Sequence, residues 1–246
     1  MMIELERAQK LYADGHAALH ELTLRVPSGT TLALLGPSGS GKTTTLKLIN
    51  RLLAPSAGRV LIDGRDSATL DPVALRRSMG YVVQDAGLFP HLTALDNIEV
   101  VPRLLGWPAR RRAARARELL DLVGLDAAEI GGRYPVQLSG GQRQRVGLAR
   151  ALAADPAVVL MDEPFGALDP LTRRRLQDEF LTLRARLRKT VVLVTHDVQE
   201  AFRLADTVAL LRDGRLEQVG APAELQRAPA SPFVAAFVGE ATAEPA

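Results

Sequence analysis

Not one of the 246 residues is a cysteine, which excludes a disulfide framework and a thiolate zinc site and fits a cytoplasmic chain. Long apolar runs are missing as well. Two of the longest, AVVLM at 157–161 and VVLV at 191–194, are strand-sized, far short of the roughly 20 residues that a membrane-spanning helix needs. The opening MMIELERAQK has no basic head, apolar stretch and small-residue cleavage site in series, so no secretory signal is expected. Lysine is scarce: Lys10, Lys42, Lys47 and Lys189 are the whole set, and the net charge of +3 rests on arginine. Much of that arginine lies in ARRRAARAREL, where Arg110, Arg111, Arg112, Arg115 and Arg117 are spread around a predicted helix and mixed with alanine. That is the pattern of a solvated helix face, and no nucleic-acid module accompanies it, so no nucleic-acid partner is expected. Internal repeats and long low-complexity tracts are absent too.

A hydrophobic content of 47% suffices for a sizeable core. Strand and helix signals alternate. TTLALLG (30–36) is a buried-strand run entering a glycine-rich loop, and TTTLKLINRLL (43–53) follows with Leu46, Ile49 and Leu53 on one helical face. GRVLIDGRD (58–66) and VALLRDGRLEQVG (208–220) each set Asp-Gly beside apolar runs and read as hairpins. AVVLMDEP, a helix over about 172–188 and TVVLVTHD form a parallel-sheet unit with a crossover helix. Between these halves, from about 91 to 153, strand runs give way to Leu, Ala and Arg at helical spacing. The expectation is an α/β core over about 1–90 and 154–239, a helical insertion over 91–153 and a frayed tail over 240–246.

GPSGSGKT, residues 36–43, matches G-x-x-x-x-G-K-[ST] at every fixed position, with a strand before it and a helix after it. Gly36, Gly39 and Gly41 let the backbone bend so that successive N–H groups of the loop, which also holds Pro37, Ser38 and Ser40, point at phosphate oxygens. The helix dipole adds to this. Lys42 is expected on the β- and γ-phosphates, Thr43 on Mg²⁺, and Thr44 beside them.

Holding phosphates is not hydrolysis, because the metal needs a second anchor and the attacking water needs positioning. In VVLMDEP, Asp162 falls at the carboxyl end of a buried strand, where ligands of α/β sheets gather, and Glu163 beside it is placed to orient or activate water. His196, in VLVTHD, ends another apolar strand and would reach the γ-phosphate from the same edge.

These residues resemble the nucleotide-binding subunits of ATP-binding cassette transporters. The phosphate loop, YVVQ (81–84), LSGGQ (138–142), LMDEP (160–164), GALD (166–169) and THD (195–197) occur in that family's order, and the resemblance covers almost the whole chain. The fold it implies is α/β: a P-loop NTPase, RecA-like core with an inserted helical subdomain and an N-terminal antiparallel β region. It implies one nucleotide-binding domain over 1–239, working as a homodimer in which Ser139, Gly140, Gly141 and Gln142 complete the partner copy's ATP site. A helix starting near Gln142 would aim its N-terminus at the γ-phosphate. The resemblance makes Gln84 a sensor of Mg²⁺ and the attacking water, Asp169 a residue crossing the dimer interface, and Tyr12 the aromatic that stacks on adenine. Asp85 sits where related importers often have Gln or Glu. The activity implied is ATP hydrolysis coupled to solute translocation, at the cytoplasmic face of the inner membrane, through permease subunits and, indirectly, an extracytoplasmic binding protein.

Longer phrases, among them LDPVALRRSMGYVVQDAGLFPHLTALDNIEVVPRLLGW and EPFGALDPLTRRRLQDE, are most similar to the branch importing osmoprotectant quaternary amines such as glycine betaine, choline or carnitine. Many members of that branch continue into paired regulatory domains of the cystathionine-synthase type. This sequence ends soon after SPFVAAFVG, so regulation is expected elsewhere or not at all. The alternatives are an importer of an amino acid or a polyamine and, further off, a soluble cassette ATPase of DNA repair or translation. A small-molecule kinase would share the phosphate loop but would need a lid and an acceptor pocket in place of LSGGQ.

Overall fold

Apolar spacing predicts alternating strands and helices, and the computed structural model has them. It describes residues 1–242 except Asp85, Ala167 and Arg188. The expectations for Asp85 and for the end of the tail therefore lie outside the described residues. β1 (Ile3–Leu11), β2 (Ala17–Val26) and β3 (Thr31–Leu35) lead to α1 (Lys42–Ile49), β4 (Ala57–Ile62), β5 (Arg65–Asp66), α2 (Pro72–Ser78) and β6 (Met79–Val82). Then come α3 (Ala94–Leu104), α4 (Ala109–Leu122), α5 (Ala127–Ile130) and α6 (Gly140–Leu152). β7 (Val158–Asp162), α7 (Pro170–Leu187), β8 (Thr190–Val194) and α8 (Val198–Leu204) follow. β9 (Thr207–Arg212), β10 (Arg215–Gly220), α9 (Pro222–Arg227) and α10 (Pro232–Thr242) complete the order.

The chain forms two compact units, Met1–Arg76 with Lys189–Ala246, and Arg77–Arg188. In the first, β2-β1-β4-β5 make an antiparallel sheet. A second sheet sets β3 parallel to both β8 and β9, with β10 antiparallel on the far side of β9. β3 (TLALL) and β8 (TVVLV) are buried at every residue, as strands of a parallel sheet must be when both faces are covered. Ala33 and Leu35 pack with Val198, Ala201, Leu225 and Val234, so α8, α9 and α10 seal one face. Both Asp-Gly pairs make the expected hairpin turns. Asp63 and Gly64 sit at φ 48° and 74°, Asp213 and Gly214 at 48° and 71°, the doubly positive geometry whose twist suits antiparallel strands.

α1 is shorter than its apolar stripe predicts. It ends at Ile49, with Arg51 at φ 54° and Leu53 N bonded back to Lys47 O at 2.9 Å. Leu46 and Ile49 are buried as expected, while Leu53 lies beyond the helix in the turn that closes it.

In the second unit β6 pairs in parallel with β7, Val82 opposite Met161. Residues 91–153 contain α3 to α6 and, among the described residues, no strand. Asn97, wholly buried on α3, accepts from Phe89 N (2.8 Å) and donates to the carbonyls of Phe89, Leu92 and Thr93, which pins loop 89–93 to the helix. Of the α4 arginines, Arg110, Arg111 and Arg117 are exposed as expected, whereas Arg112 and Arg115 are mostly covered: Arg112 pairs with Glu99 (3.0 Å), Arg115 with Glu118 (2.7 Å), and Arg111 lies 3.6 Å over the Trp107 ring. Among the described residues no helix is long and apolar enough to cross a membrane.

Candidate nucleotide site

The first unit carries the phosphate loop on the carboxyl end of β3. Gly36, Gly39 and Gly41 have φ of 145°, 80° and 97°, a region in which only glycine rests without strain. A Cβ at Gly36 would collide with the carbonyl oxygen of Leu211, and one at Gly41 would lie 2.6 Å from Ala18 O. α1 then starts with no side-chain cap and no acidic residue in its first turn. Its N-terminal dipole and N–H groups are thus directed at the loop without a built-in anion. Lys42, only 6% exposed, folds back to donate to Gly36 O and Pro37 O, both at 2.7 Å. Ser40 Oγ is buried with no hydrogen-bond partner, and Ser38 and Gly39 are exposed at the crest. Thr43 and Thr44 are half-buried on the first turn.

Two further predicted residues gather around this loop. The Tyr12 hydroxyl lies 3.4 Å from Thr44 Oγ1, so the aromatic borders the phosphate loop. β3 and β8 are neighbours with Leu34 opposite Val194, and Thr195 N donates to Leu34 O at 3.1 Å. Gly36 and His196 therefore leave adjacent strands at the same edge. His196 is exposed, and the next residue, Asp197, caps α8 by accepting from Glu200 N. His16 was not singled out by its sequence context: its ring is parallel to Tyr12 within 9°, with centroids 6.3 Å apart.

The carboxylates belong to the second unit. Asp162 closes β7 at 7% exposure, and Gln84 follows β6 on the neighbouring strand. Tyr81, at the head of the YVVQ run, hydrogen-bonds Asp162. Burial first, then the Asp162 charge and that bond, push the phenol up to about 12 from 10.0, so near neutral pH it is the donor. Glu163 has φ 46°. A residue with a Cβ tolerates that left-handed backbone at a cost of about 1 kcal/mol or more, and it turns Glu163 away from the strand direction that Asp162 follows. A cavity of about 180 Å³ is lined by Gln84, Gly140, Arg143, Gln144, Glu163 and Leu168, among others. Three predicted residues, Gln84, Gly140 and Glu163, are thus brought together within one unit. Arg150 holds the loop after Gln84 from beneath, donating to Ala86 O and Gly87 O at 2.7 Å each.

LSGGQ forms the start of α6 two residues earlier than its sequence suggests, at Gly140 rather than near Gln142. Ser139 is the cap: its Oγ accepts from Gln142 N (3.2 Å) while Gln142 Oε1 accepts from Ser139 N (2.9 Å), a capping box that satisfies two backbone donors reciprocally. Arg143 donates to Leu138 O at 2.7 Å. Gly140 is exposed, and Gly141 lies so close to Thr172 that a Cβ would be 3.1 Å from its methyl group. Asp169 accepts from Thr172 N at 3.0 Å, just ahead of α7, and its hydrogen bonds with Thr172 hold the carboxyl below the usual range.

No cluster of three or more His, Cys, Asp or Glu among the described residues could hold a metal unaided. Mg²⁺ in nucleotide sites does not require one, because one or two protein oxygens, phosphates and waters fill its octahedron. Thr43 in the first unit, and Gln84 and Asp162 in the second, each carry an oxygen donor of the hard kind that Mg²⁺ takes.

Comparison with known proteins decides the family. A family described as ABC transporter matches residues 19–166. The chain belongs to the ABC transporter family. The glycine betaine/carnitine/choline transport ATP-binding protein OpuCA of Bacillus subtilis is 53% identical over 97% of this cassette, which spans 63% of that relative's length. The glycine betaine uptake system ATP-binding protein YehX of Escherichia coli is 48% identical, over 97% of the cassette and 77% of the relative. Among solved structures, the ATP-binding cassette MJ0796, a dimer bound to ADP and phosphate in its post-hydrolysis state, matches with a TM-score of 0.80 at 36% identity. That match covers 89% of this cassette and 98% of MJ0796. The cassette thus has the α/β P-loop fold its motifs imply.

Proposed function

We propose that this chain is the ATP-hydrolysing subunit of an importer for a small osmoprotectant of the quaternary-amine class. The observation that carries the reading is near-half identity along 97% of the chain to ATP-binding proteins of betaine, carnitine and choline uptake, joined to a phosphate loop with its anion position prepared. ATP would place its phosphates on the N–H groups of residues 38–44. Lys42 would exchange the carbonyls of Gly36 and Pro37 for β- and γ-phosphate oxygens. Tyr12 would stack on the adenine, and His196 would hydrogen-bond the γ-phosphate. Mg²⁺, held by Thr43, Asp162 and Gln84 with the phosphates, would neutralise charge developing in phosphoryl transfer. Glu163 would orient a water and take its proton as the oxygen bonds to the γ-phosphorus and the bond to the β-bridging oxygen breaks.

In this reading one nucleotide-binding domain spans 1–239 and works in pairs. Ser139, Gly140, Gly141 and Gln142 of each copy approach the γ-phosphate held by the other, with Asp169 at the interface. The Ser139 hydroxyl supports this role, because its oxygen accepts the α6 cap bond and leaves its hydrogen to donate elsewhere. ATP and ADP then differ in their affinity for the closed pair, and that difference drives membrane subunits at the cytoplasmic face. An importer of an amino acid or a polyamine would use the same machinery.

The test is Glu163→Gln mixed with ATP and Mg²⁺ and followed by size-exclusion chromatography. A dimer is expected with ATP and a monomer with ADP. A monomer in both cases would overturn the shared site. With its permease and binding protein, the wild-type chain should restore betaine-dependent growth in high salt to a host lacking betaine uptake. Failure with betaine, choline and carnitine alike would overturn the substrate class.

A further inference from the structure

We propose that Tyr81 is a positioning residue for Asp162, its phenol fixing the carboxylate in the orientation in which it takes a divalent cation. The inference rests on the reading of Asp162 as a Mg²⁺ ligand and adds the residue that holds that ligand.

The register of the second unit's strands brings the two side chains together. β6 and β7 run parallel, with Tyr81 opposite Leu160 and Val82 opposite Met161. Side chains alternate between the faces of a strand, and residues directly opposite each other share a face. Tyr81, Leu160 and Asp162 therefore lie on one face, and Val82 and Met161 on the other. A separate observation agrees with this assignment: Val82 and Met161 line one apolar cavity together with Leu148 and Phe180. Asp162 is thus the diagonal neighbour of Tyr81, two residues beyond its direct partner, a reach open to an aromatic side chain. The phenol makes that reach and hydrogen-bonds the carboxylate.

The chemistry of this bond suits a metal ligand. β7 is buried at every residue, Asp162 included, so the carboxylate depends on protein partners to hold it. An ionised carboxylate only accepts, which makes the phenol the donor, and one donor uses only part of its acceptor capacity. Being neutral, the phenol orients the group without offsetting its negative charge, as an arginine or lysine in the same place would. Carboxylates that ligate metals are themselves held by such hydrogen bonds, and removing the partner typically lowers metal affinity about 10- to 100-fold. Phenylalanine would fill the same space on this face of β6. What tyrosine adds is the hydroxyl.

The experiment is titration calorimetry on the full chain with the non-hydrolysable analogue adenylyl imidodiphosphate, once with Mg²⁺ and once with EDTA. The proteins are wild type, Tyr81→Phe and Tyr81→4-aminophenylalanine. Tyr81→Phe should weaken binding about 10-fold with Mg²⁺ and by less than about twofold with EDTA. A purely structural role would weaken both alike. That result would overturn the inference, as would wild-type affinity in Mg²⁺. The 4-amino group keeps an N–H donor on the ring and should restore most of the Mg²⁺-dependent affinity. It also decides the matter if Tyr81→Phe does not fold, because a loss of about 10-fold confined to Mg²⁺ despite a donor in place would overturn the inference. If wild type gained no affinity from Mg²⁺, the metal reading of Asp162 would fall and this inference with it. The inference falls alone if wild type gains affinity from Mg²⁺ and Tyr81→Phe gains as much.

Discussion

Loop 36–41 reaches α1 through three glycines at positive φ and leaves the first turn without a side-chain cap. Loop 138–141 enters α6 with neither glycine at positive φ and closes the first turn with the reciprocal Ser139 and Gln142 bonds. Their compositions are alike, yet the helix starts behind them are arranged in opposite ways. An anion cradle is made by backbone direction, not by glycine content: at α1 the donors converge on the loop, whereas at α6 part of the donor set is already used internally. What α6 offers is exposed Gly140 and a serine hydrogen, suited to touching a phosphate held by another loop rather than to holding one alone.

The contrast breaks most visibly at the glycines. Gly36→Ala drives a methyl group into Leu211 O at a positive φ and is expected to destabilise the fold by more than about 3 kcal/mol. Gly140→Ala, helical and open, should be neutral or stabilising by up to about 0.5 kcal/mol. Urea unfolding of both variants measures the gap, and equal losses would erase the distinction between the loops. Next in size, Lys42→Ala should weaken ATP binding by the single chain about 100-fold, as expected for two charge-assisted bonds of roughly 1.5 kcal/mol each. Ser139→Ala should leave it unchanged and act only on the paired, hydrolysing form. Calorimetry at low protein concentration separates the two, and a comparable loss in Ser139→Ala would place that serine in the site of its own chain.

The smallest effect concerns the second unit, whose site rests on side-chain bonds rather than on glycine geometry. Tyr81 should ionise at about 12 against an ordinary 10.0, in an ultraviolet pH titration. Because its folded value is raised, the contribution of Tyr81 to stability is fully present below pH 10.0 and is lost as pH rises through about 12. Asp162→Asn should lower that value only in part, because burial is the larger cause. A full return to the ordinary value would mean that the carboxylate, not burial, dominates.

Much of this was legible in the residues. The strand, loop and helix around 31–49 follow from apolar runs flanking a fixed motif, and Asp63-Gly64 and Asp213-Gly214 announce their turns because few other pairs accept two positive φ angles. The exits and entries of helices were less legible. Arg51 stops α1 through a left-handed backbone that arginine does not advertise, and α6 starts at Gly140 because Ser139 and Gln142 cap each other, a pairing visible in S-x-x-Q spacing once looked for. The contacts of Tyr81 with Asp162 and of Arg150 with Ala86 and Gly87 join residues far apart in sequence and have no local signal. His16 lay one short turn from Tyr12, but its spacing did not announce that the two rings would lie parallel.

Lys42 gives the resting loop a chemistry of its own. Its ammonium is already solvated by two backbone carbonyls, so in the proposed function the arrival of nucleotide would be a ligand exchange at nitrogen rather than the capture of a bare cation. The cost of drying that charge has been met in folding. On that reading affinity would report the preference of one lysine for phosphoryl over peptide oxygen, with the loop acting as its own placeholder before nucleotide arrives.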